Sequence, residues 1–292
     1  RTDRLAVQPE MDPVDILDTI ERHRASSLLV VGDPMARPIV DTLRDERRHG
    51  QQRDLSSLRH VLSGGAVLST RLKSQLVELL AGVTVVDVLG STESGRQAVA
   101  RSRSTDESDI HFEPSATAAV LSADMSRRLA PGEDELGWLA QSGRVPLGYL
   151  GDEDKSARTF PTVNGVRYAV PGDRALLLAD GRVELRGRDS VCINTGGEKV
   201  FAEEVETAVK SHPAVLDAVV CARPSERWGE EVVAIVALAE GATVTDADLS
   251  RAAAATIARY KLPRSFIRVD HVERAPSGKA DYRWARSVAV DA

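Results

Sequence analysis

The sequence is missing several features, and each absence removes a class of protein. There is no basic surplus. Lys and Arg number 38 against 44 Asp and Glu, for a net charge of −6, so no nucleic-acid footprint is expected. No apolar run approaches the ~18 residues that a membrane-spanning helix needs. Two cysteines, Cys192 and Cys221, both lie inside apolar strand-like runs; that is no disulfide framework and fits a reducing, cytoplasmic setting. The histidines His23, His49, His60, His111, His212 and His271 show no ligand spacing, which argues against a metal cluster. The opening stretch "RTDRLAVQPE" is polar, lacks the hydrophobic centre of a secretion signal and does not start with methionine, so a fragment of a longer protein is expected. Internal repeats and low-complexity segments are also missing.

What is present is a globular composition. The 292 residues are 42% hydrophobic and 28% charged, enough for one large or two ordinary domains. "DPVDILDTIERHR" has Val14, Ile16, Leu17 and Ile20 near helical spacing, with Asp12 as a cap and Pro13 at the first position. "SSLLVVG" reads as a buried strand, "ARPIVDTLRDERR" as a helix and "LRHVLSGG" as a strand into a glycine turn. "STRLKSQLVELLAG" is a helix between Ser69 and Gly82, and "VTVVDVLGSTESG" a strand into a polar loop. This alternation predicts a parallel α/β sheet over 1–95. Over 96–187 helical periodicity fades, and short runs such as "TAAVL" and "LGWLA" between Gly and Pro turns predict a β-rich subdomain. Residues 188–292 predict a small α+β domain: a helix in "EEVETAVKSHP", strands in "AVLDAVVCARP" and "EEVVAIVALAEG", a long helix through "TDADLSRAAAATIARYKLP", and a strand in "SFIRVDHVERAP". The fold class is therefore α/β plus α+β.

Four loops carry chemical signal, and each also has a bland reading. "SGGAVLS" (Ser63 to Ser69) lets a ligand approach the backbone, or is an ordinary strand-to-helix turn. "LGSTESG" (Leu89 to Gly95) offers backbone N–H groups and hydroxyls to a phosphate, and Glu93 to a hard cation. In "PGDRALLLADGRVELRGRD", Asp173 could clamp a ribose diol, although by itself the stretch reads as a hairpin. "GRDSVCINTGGEKVFAEEVE" joins two domains, and its Gly196-Gly197 pair again invites close approach. Near the end, "RAPSGKADYR" sets Lys279 just beyond a tight turn, either in a solvated tail or delivered into an active site.

The order and spacing of these loops resemble the adenylate-forming superfamily of acyl-CoA synthetases, peptide-synthetase adenylation domains and luciferases. The resemblance runs from the helix near Asp12 to "SGKADYRWA". "INTGGEKVFAEEVE", "PGD" and "GKADYRWA" are most similar to actinobacterial acyl-CoA synthetases of the fatty-acid and steroid side-chain type. Family members are roughly twice as long, and their phosphate loop ending Pro-Lys-Gly has no counterpart here. The resemblance therefore implies the C-terminal portion of such an enzyme, with 188–292 as a mobile lid.

Carried over by resemblance, Gly64, Gly65 and Ala66 would line the adenine and acyl pocket. Leu89 stands where many relatives have a tyrosine stacked on adenine; leucine packs there without stacking. Gly90 and Ser91 would complete the AMP loop. Thr92 would meet the α-phosphate, and Glu93 would hold Mg²⁺. Asp173 would take the ribose hydroxyls with Arg188 nearby. Asp189 and Ser190 would form the hinge, although relatives often have Asp or Lys at Ser190's position. Gly196, Gly197, Glu198, Trp228, Tyr260 and Lys261 would line the CoA path, and Lys279 would be the adenylation lysine.

The chemistry implied is a carboxylate attacking the α-phosphate of ATP, two anions whose approach needs Mg²⁺ and an ammonium. A thiol, CoA, then takes the acyl group, and the lysine must leave, which suits a swinging domain. The partners implied are a carboxylic acid, ATP and CoA, with peripheral membrane contact if the acid is lipid. Two rivals stand beside this reading: an acyl-AMP ligase that loads a carrier protein, and a non-catalytic nucleotide- or partner-binding domain.

Overall fold

The computed structural model describes residues 11–104 and 111–292; the polar opening stretch 1–10 lies outside them. Asp12 starts the first element: its side chain accepts the N–H groups of Val14 and Asp15, and helix α1 (Pro13–His23) follows. Then come β1 (Ser27–Val30), α2 (Gly32–Arg48), β2 (His60–Gly64), α3 (Thr70–Leu79) and β3 (Thr84–Ser91). The three strands pair in parallel in the order β1-β2-β3. Ser69 caps α3 as the sequence predicts. Leu17 and Ile20 of α1, Ile39 and Val40 of α2, and Leu72 and Leu76 of α3 bury against Val30, Val61 and Val85 of the strands. Truncating one of these leucines to alanine would cost roughly 2–5 kcal/mol.

This sheet does not stop at Gly95. The polar loop after β3 is a hairpin, and Gly95, at φ +64°, turns the chain straight back. β4 (Gly95–Ser102) pairs antiparallel with β3, and β5 (Glu113–Pro114) with β4. The apolar run Ala98–Ala100 is spent extending the α/β sheet rather than starting the next one.

The β-rich sheet contains β6 (Ala118–Leu121), β7 (Gly137–Ser142), β8 (Thr162–Val163), β9 (Val166–Ala169), β10 (Asp173–Leu177) and β11 (Val183–Arg188), with a short helix α4 (Glu153–Thr159) before β8. Its order is β11-β10-β7-β9-β8, with β6 also on β7. A 3-10 turn over Asp189–Val191 leads into the C-terminal domain.

That domain has a five-stranded sheet made of β12 (Cys192–Thr195), β13 (Glu198–Phe201), β14 (Val215–Ser225), β15 (Gly229–Leu238) and β16 (Ser265–Val269). Helices α5 (Ala202–Val209) and α6 (Asp246–Ala254) cover one face, and α7 (Tyr282–Asp291) the other. Val220, Val232, Ala234 and Val236 face α5 and α6. Val219, Cys221, Val233 and Ile235 face Ala285 and Ala289 of α7. Both faces are covered, so the strands read as continuous apolar runs without polar alternation.

One expectation changes here. The long helix ends at Ala254, not at the "YKLP" stretch. Thr256 bonds back to the Ala253 carbonyl through its hydroxyl and Ile257 through its N–H, and Pro263 lies ahead. The chain after Lys279 is no loose tail. Asp281 caps α7 by accepting from Arg283 and Trp284.

Candidate active site

β2 and β3 run parallel with Gly64 opposite Val88, so their carboxyl ends bring two glycine loops side by side. In open α/β sheets ligands bind at that edge. Gly65 has φ +85°, and a Cβ there would sit 3.3 Å from Cε of Lys279. Ala66 continues the turn. Gly90 admits nothing larger, because a Cβ would fall 2.2 Å from the Gly95 carbonyl oxygen across the hairpin. Ser91 is engaged inside the loop, its hydroxyl 3.0 Å from that of Ser94. Thr92 is exposed at the tip. Leu89 packs on the cluster around Val120, Leu129 and Leu139. Glu93 accepts a 2.7 Å hydrogen bond from the Tyr149 hydroxyl. That bond is the main reason its carboxyl is held below the usual range.

Asp173 opens β10 directly across from Arg188 at the end of β11. Its Oδ1 accepts from Arg188 Nε at 3.1 Å. Its Oδ2 is buried with no partner, although the residue is only 2% exposed. A buried carboxylate oxygen without a donor is costly, and a sugar hydroxyl would satisfy it. The next residues, Asp189 and Ser190, form the 3-10 turn between domains, where the Asp189 N–H donates to the Gly172 carbonyl at 3.0 Å.

The C-terminal domain brings Lys279 to this edge. Ala275 N–H bonds to the Lys279 carbonyl, and Gly278 N–H to that of Ala275, closing the turn. Arg274 braces it: the guanidinium holds Asp217 with two bonds, of 2.8 and 2.6 Å, and reaches the Gly278 carbonyl at 3.4 Å. Gly278 abuts Val31 of the body; a Cβ there would lie 3.1 Å from a Val31 methyl. Lys279 itself is exposed, with its stem against Gly65.

A second group gathers on the same domain. Gly196 and Gly197, at φ +60° and +89°, turn β12 into β13, with Glu198 just after and exposed. Gly196 donates to the Trp228 carbonyl at 2.9 Å and lies under its ring. Arg227 and Arg264 sit 4.7 and 4.8 Å from that ring's centre. Tyr260 is 44% exposed. Lys261 is turned to Glu204, with both carboxylate oxygens at 2.7 Å.

Residues 4–145 match the model of the AMP-binding enzyme family, and residues 204–279 that of the AMP-binding enzyme C-terminal domain. The chain belongs to the AMP-binding enzymes. It is 51% identical over 285 residues to the medium-chain acyl-CoA ligase Mig of Mycobacterium avium, a match covering 98% of this chain and 51% of that protein. It is 41% identical to the 3-oxocholest-4-en-26-oate–CoA ligase of Rhodococcus rhodochrous, over 97% of this chain and 51% of that one. The chain thus spans about half the length of these relatives. The amide bond synthetase McbA of Marinactinospora thermotolerans shares the fold, with a TM-score of 0.81 at 23% identity, over 97% of this chain and 56% of McbA.

The fold of this AMP-binding family member adds candidate-site features that its motifs did not announce. Tyr149, 56 residues from Glu93, lies inside "PLGYL", a stretch with no motif of its own, and only the fold pairs the two. Arg264 reaches Trp228 from beyond the "YKLP" turn. Arg227 was visible beside Trp228, as a charge next to an aromatic. No membrane-length apolar helix is found among the described residues.

Proposed function

We propose that this chain supplies the ribose clamp, the cation loop and the lysine-bearing lid of an ATP-dependent acid–thiol ligase. The reaction converts a fatty or steroid side-chain carboxylate into its CoA thioester by way of an acyl adenylate. The observation that carries this reading is Lys279, held on a braced turn of one domain with its stem against Gly65 of another.

In the first step a carboxylate oxygen attacks the α-phosphorus of ATP, and the bond to pyrophosphate breaks. The Lys279 ammonium offsets the repulsion between the two anions as a mobile point charge. Asp173 Oδ2 accepts from the ribose, and Thr92 offers a hydroxyl at the loop tip. Glu93 is the residue that would hold Mg²⁺, since a single carboxylate plus substrate phosphates is a common set for that ion. When bound, Mg²⁺ draws charge from the phosphate oxygens. In the second step a CoA thiolate attacks the acyl carbon, and AMP leaves with the C–O electron pair. Trp228 with two guanidiniums beside it suits a phosphorylated adenine nucleotide, which favours CoA over a carrier protein as acceptor.

Substrate class comes from the relatives, whose names specify medium-chain and steroid acids. The test is an acid-dependent pyrophosphate-release screen on the enzyme at the full length of its relatives, with Lys279→Ala beside it. That variant is expected to lose roughly 10²–10³ in adenylation. It should still form thioester from supplied acyl-AMP. Equal loss of both half-reactions would overturn the assignment of Lys279.

A further inference from the structure

A buried ion pair crosses the boundary between body and lid. Asp33 lies in the first turn of α2, on the body. Its Oδ1 accepts the Ser69 N–H at 2.6 Å, which orients the carboxylate. Lys210, at the C-terminal cap of α5 on the lid, places Nζ 3.3 Å from Asp33 Oδ2. The two side chains are 5% and 2% exposed, for lysine and aspartate respectively. Around them Gly278 packs on Val31, and the Arg71 guanidinium donates to the Pro213 carbonyl at 2.6 Å. On the lid's own side the fully buried Glu206, one turn back on α5, attracts Lys210. Glu206 is itself held by the Val220 N–H at 3.0 Å and the Tyr282 hydroxyl at 3.2 Å.

We propose that Asp33 and Lys210 are positioning residues: their dry ion pair selects the lid orientation that presents Lys279 at Gly65. The surroundings of the two side chains support this. If the lid leaves, Lys210 keeps Glu206 and gains water, while Asp33 keeps the Ser69 N–H and gains water. Neither domain loses an internal contact, so the pair biases orientation and leaves each fold intact. Removing one partner strands a buried charge, but only in the present orientation, so the lid is expelled. Neutralising both removes that penalty.

The test uses a cross-link that reads orientation directly, on this chain. A Cβ at position 278 lies 3.3 Å from Cβ of Val31, close to disulfide reach, so Val31→Cys with Gly278→Cys reports the docked lid. Cys192→Ser in the same background removes the half-buried native thiol. Asp33→Asn and Lys210→Met are each expected to slow disulfide formation about tenfold or more, and the double variant to recover most of that rate. Asp33→Asn is the decisive single change, because it retains the acceptor for Ser69 and alters nothing on the lid. Its melting temperature should stay near that of the parent. Equal cross-linking rates in all four proteins would overturn the proposal. So would a double variant slower than either single, which is what two independent packing defects would give.

The catalytic arm rests on the reading of Lys279 above. In the full-length enzyme Asp33→Asn should depress adenylation and spare thioester formation from acyl-AMP. Slowed cross-linking with unchanged adenylation would count against Lys279 as the adenylation lysine and leave the positioning role standing.

Discussion

Asp173 holds Arg188 with one carboxylate oxygen and leaves the other buried and without a partner. They are cross-strand partners at the open end of the β10/β11 hairpin, so the backbone register sets the guanidinium beside the carboxylate. Asp173→Ala should therefore raise the KM for ATP about tenfold or more, the scale of a lost charge-assisted hydrogen bond. Asp173→Asn keeps the shape and should fall between. Initial rates against ATP concentration decide it; an unchanged KM in both variants would reduce Asp173 to a hairpin residue.

Tyr149→Phe tests the cation loop. The hydroxyl is the main influence holding the Glu93 carboxyl below its usual range. Without it Glu93 loses an orienting donor and becomes a more readily protonated, less fixed ligand. The Mg²⁺ concentration for half-maximal pyrophosphate release should rise several-fold, up to about tenfold, most clearly at low pH. A Mg²⁺ titration that overlays the parent's would mean that the Tyr149 contact does not tune the loop.

Glu203 lies at the joint itself. It accepts the Arg188 N–H at 3.4 Å and fits against Gly187, where a Cβ would meet its carboxylate at 2.8 Å. Burial, with Glu206 adding repulsion, pushes its carboxyl up to about 7 from an ordinary 4.5. A raised acid in the folded state means that the fold keeps a proton the unfolded chain has released. The stability it contributes is full below pH ~4.5 and is lost as pH rises through about 7. Melting temperature should thus fall between pH 5.5 and 8, and Glu203→Gln should flatten that fall. Burial also raises Glu206 and Asp87 with the same sign, so a shallower slope should remain. Parallel melting curves for parent and variant across this range would sink the assignment.

The parts of the fold legible in the sequence were those with local causes. Asp12 and Ser69 cap helices because a short polar side chain before an apolar period satisfies free N–H groups, and that signal is contiguous. β14 and β15 stood out as unbroken apolar runs because both faces of their sheet are covered. Local sequence is silent where tertiary pairing decides. Nothing local tells Ala98–Ala100 which sheet to join, and α7 hides behind a turn whose Pro, Ser and Gly resemble those of a loose tail. For the site, glycines forced by close approach, such as Gly90, and the lysine after the turn were visible as motifs. Tyr149 with Glu93 and Lys210 with Asp33 were not, since each pair is assembled from distant segments.

The bracing of the lysine turn has a consequence for how accuracy is achieved. Arg274 ties the turn to Asp217 and to its own Gly278 carbonyl, and α7 clamps the following residues against the sheet. The backbone at Lys279 is therefore carried as part of a rigid arm, and on the reading proposed above that arm pivots near Asp189. Displacement at the end of such an arm grows with its length, so a few degrees at the pivot become ångströms at the ammonium. Misplacing a catalytic group by about 1 Å can cost on the order of 10²-fold in rate. On that reading the tolerance of the chemistry is set as an angle between two domains, and residues far from the phosphate share in fixing it.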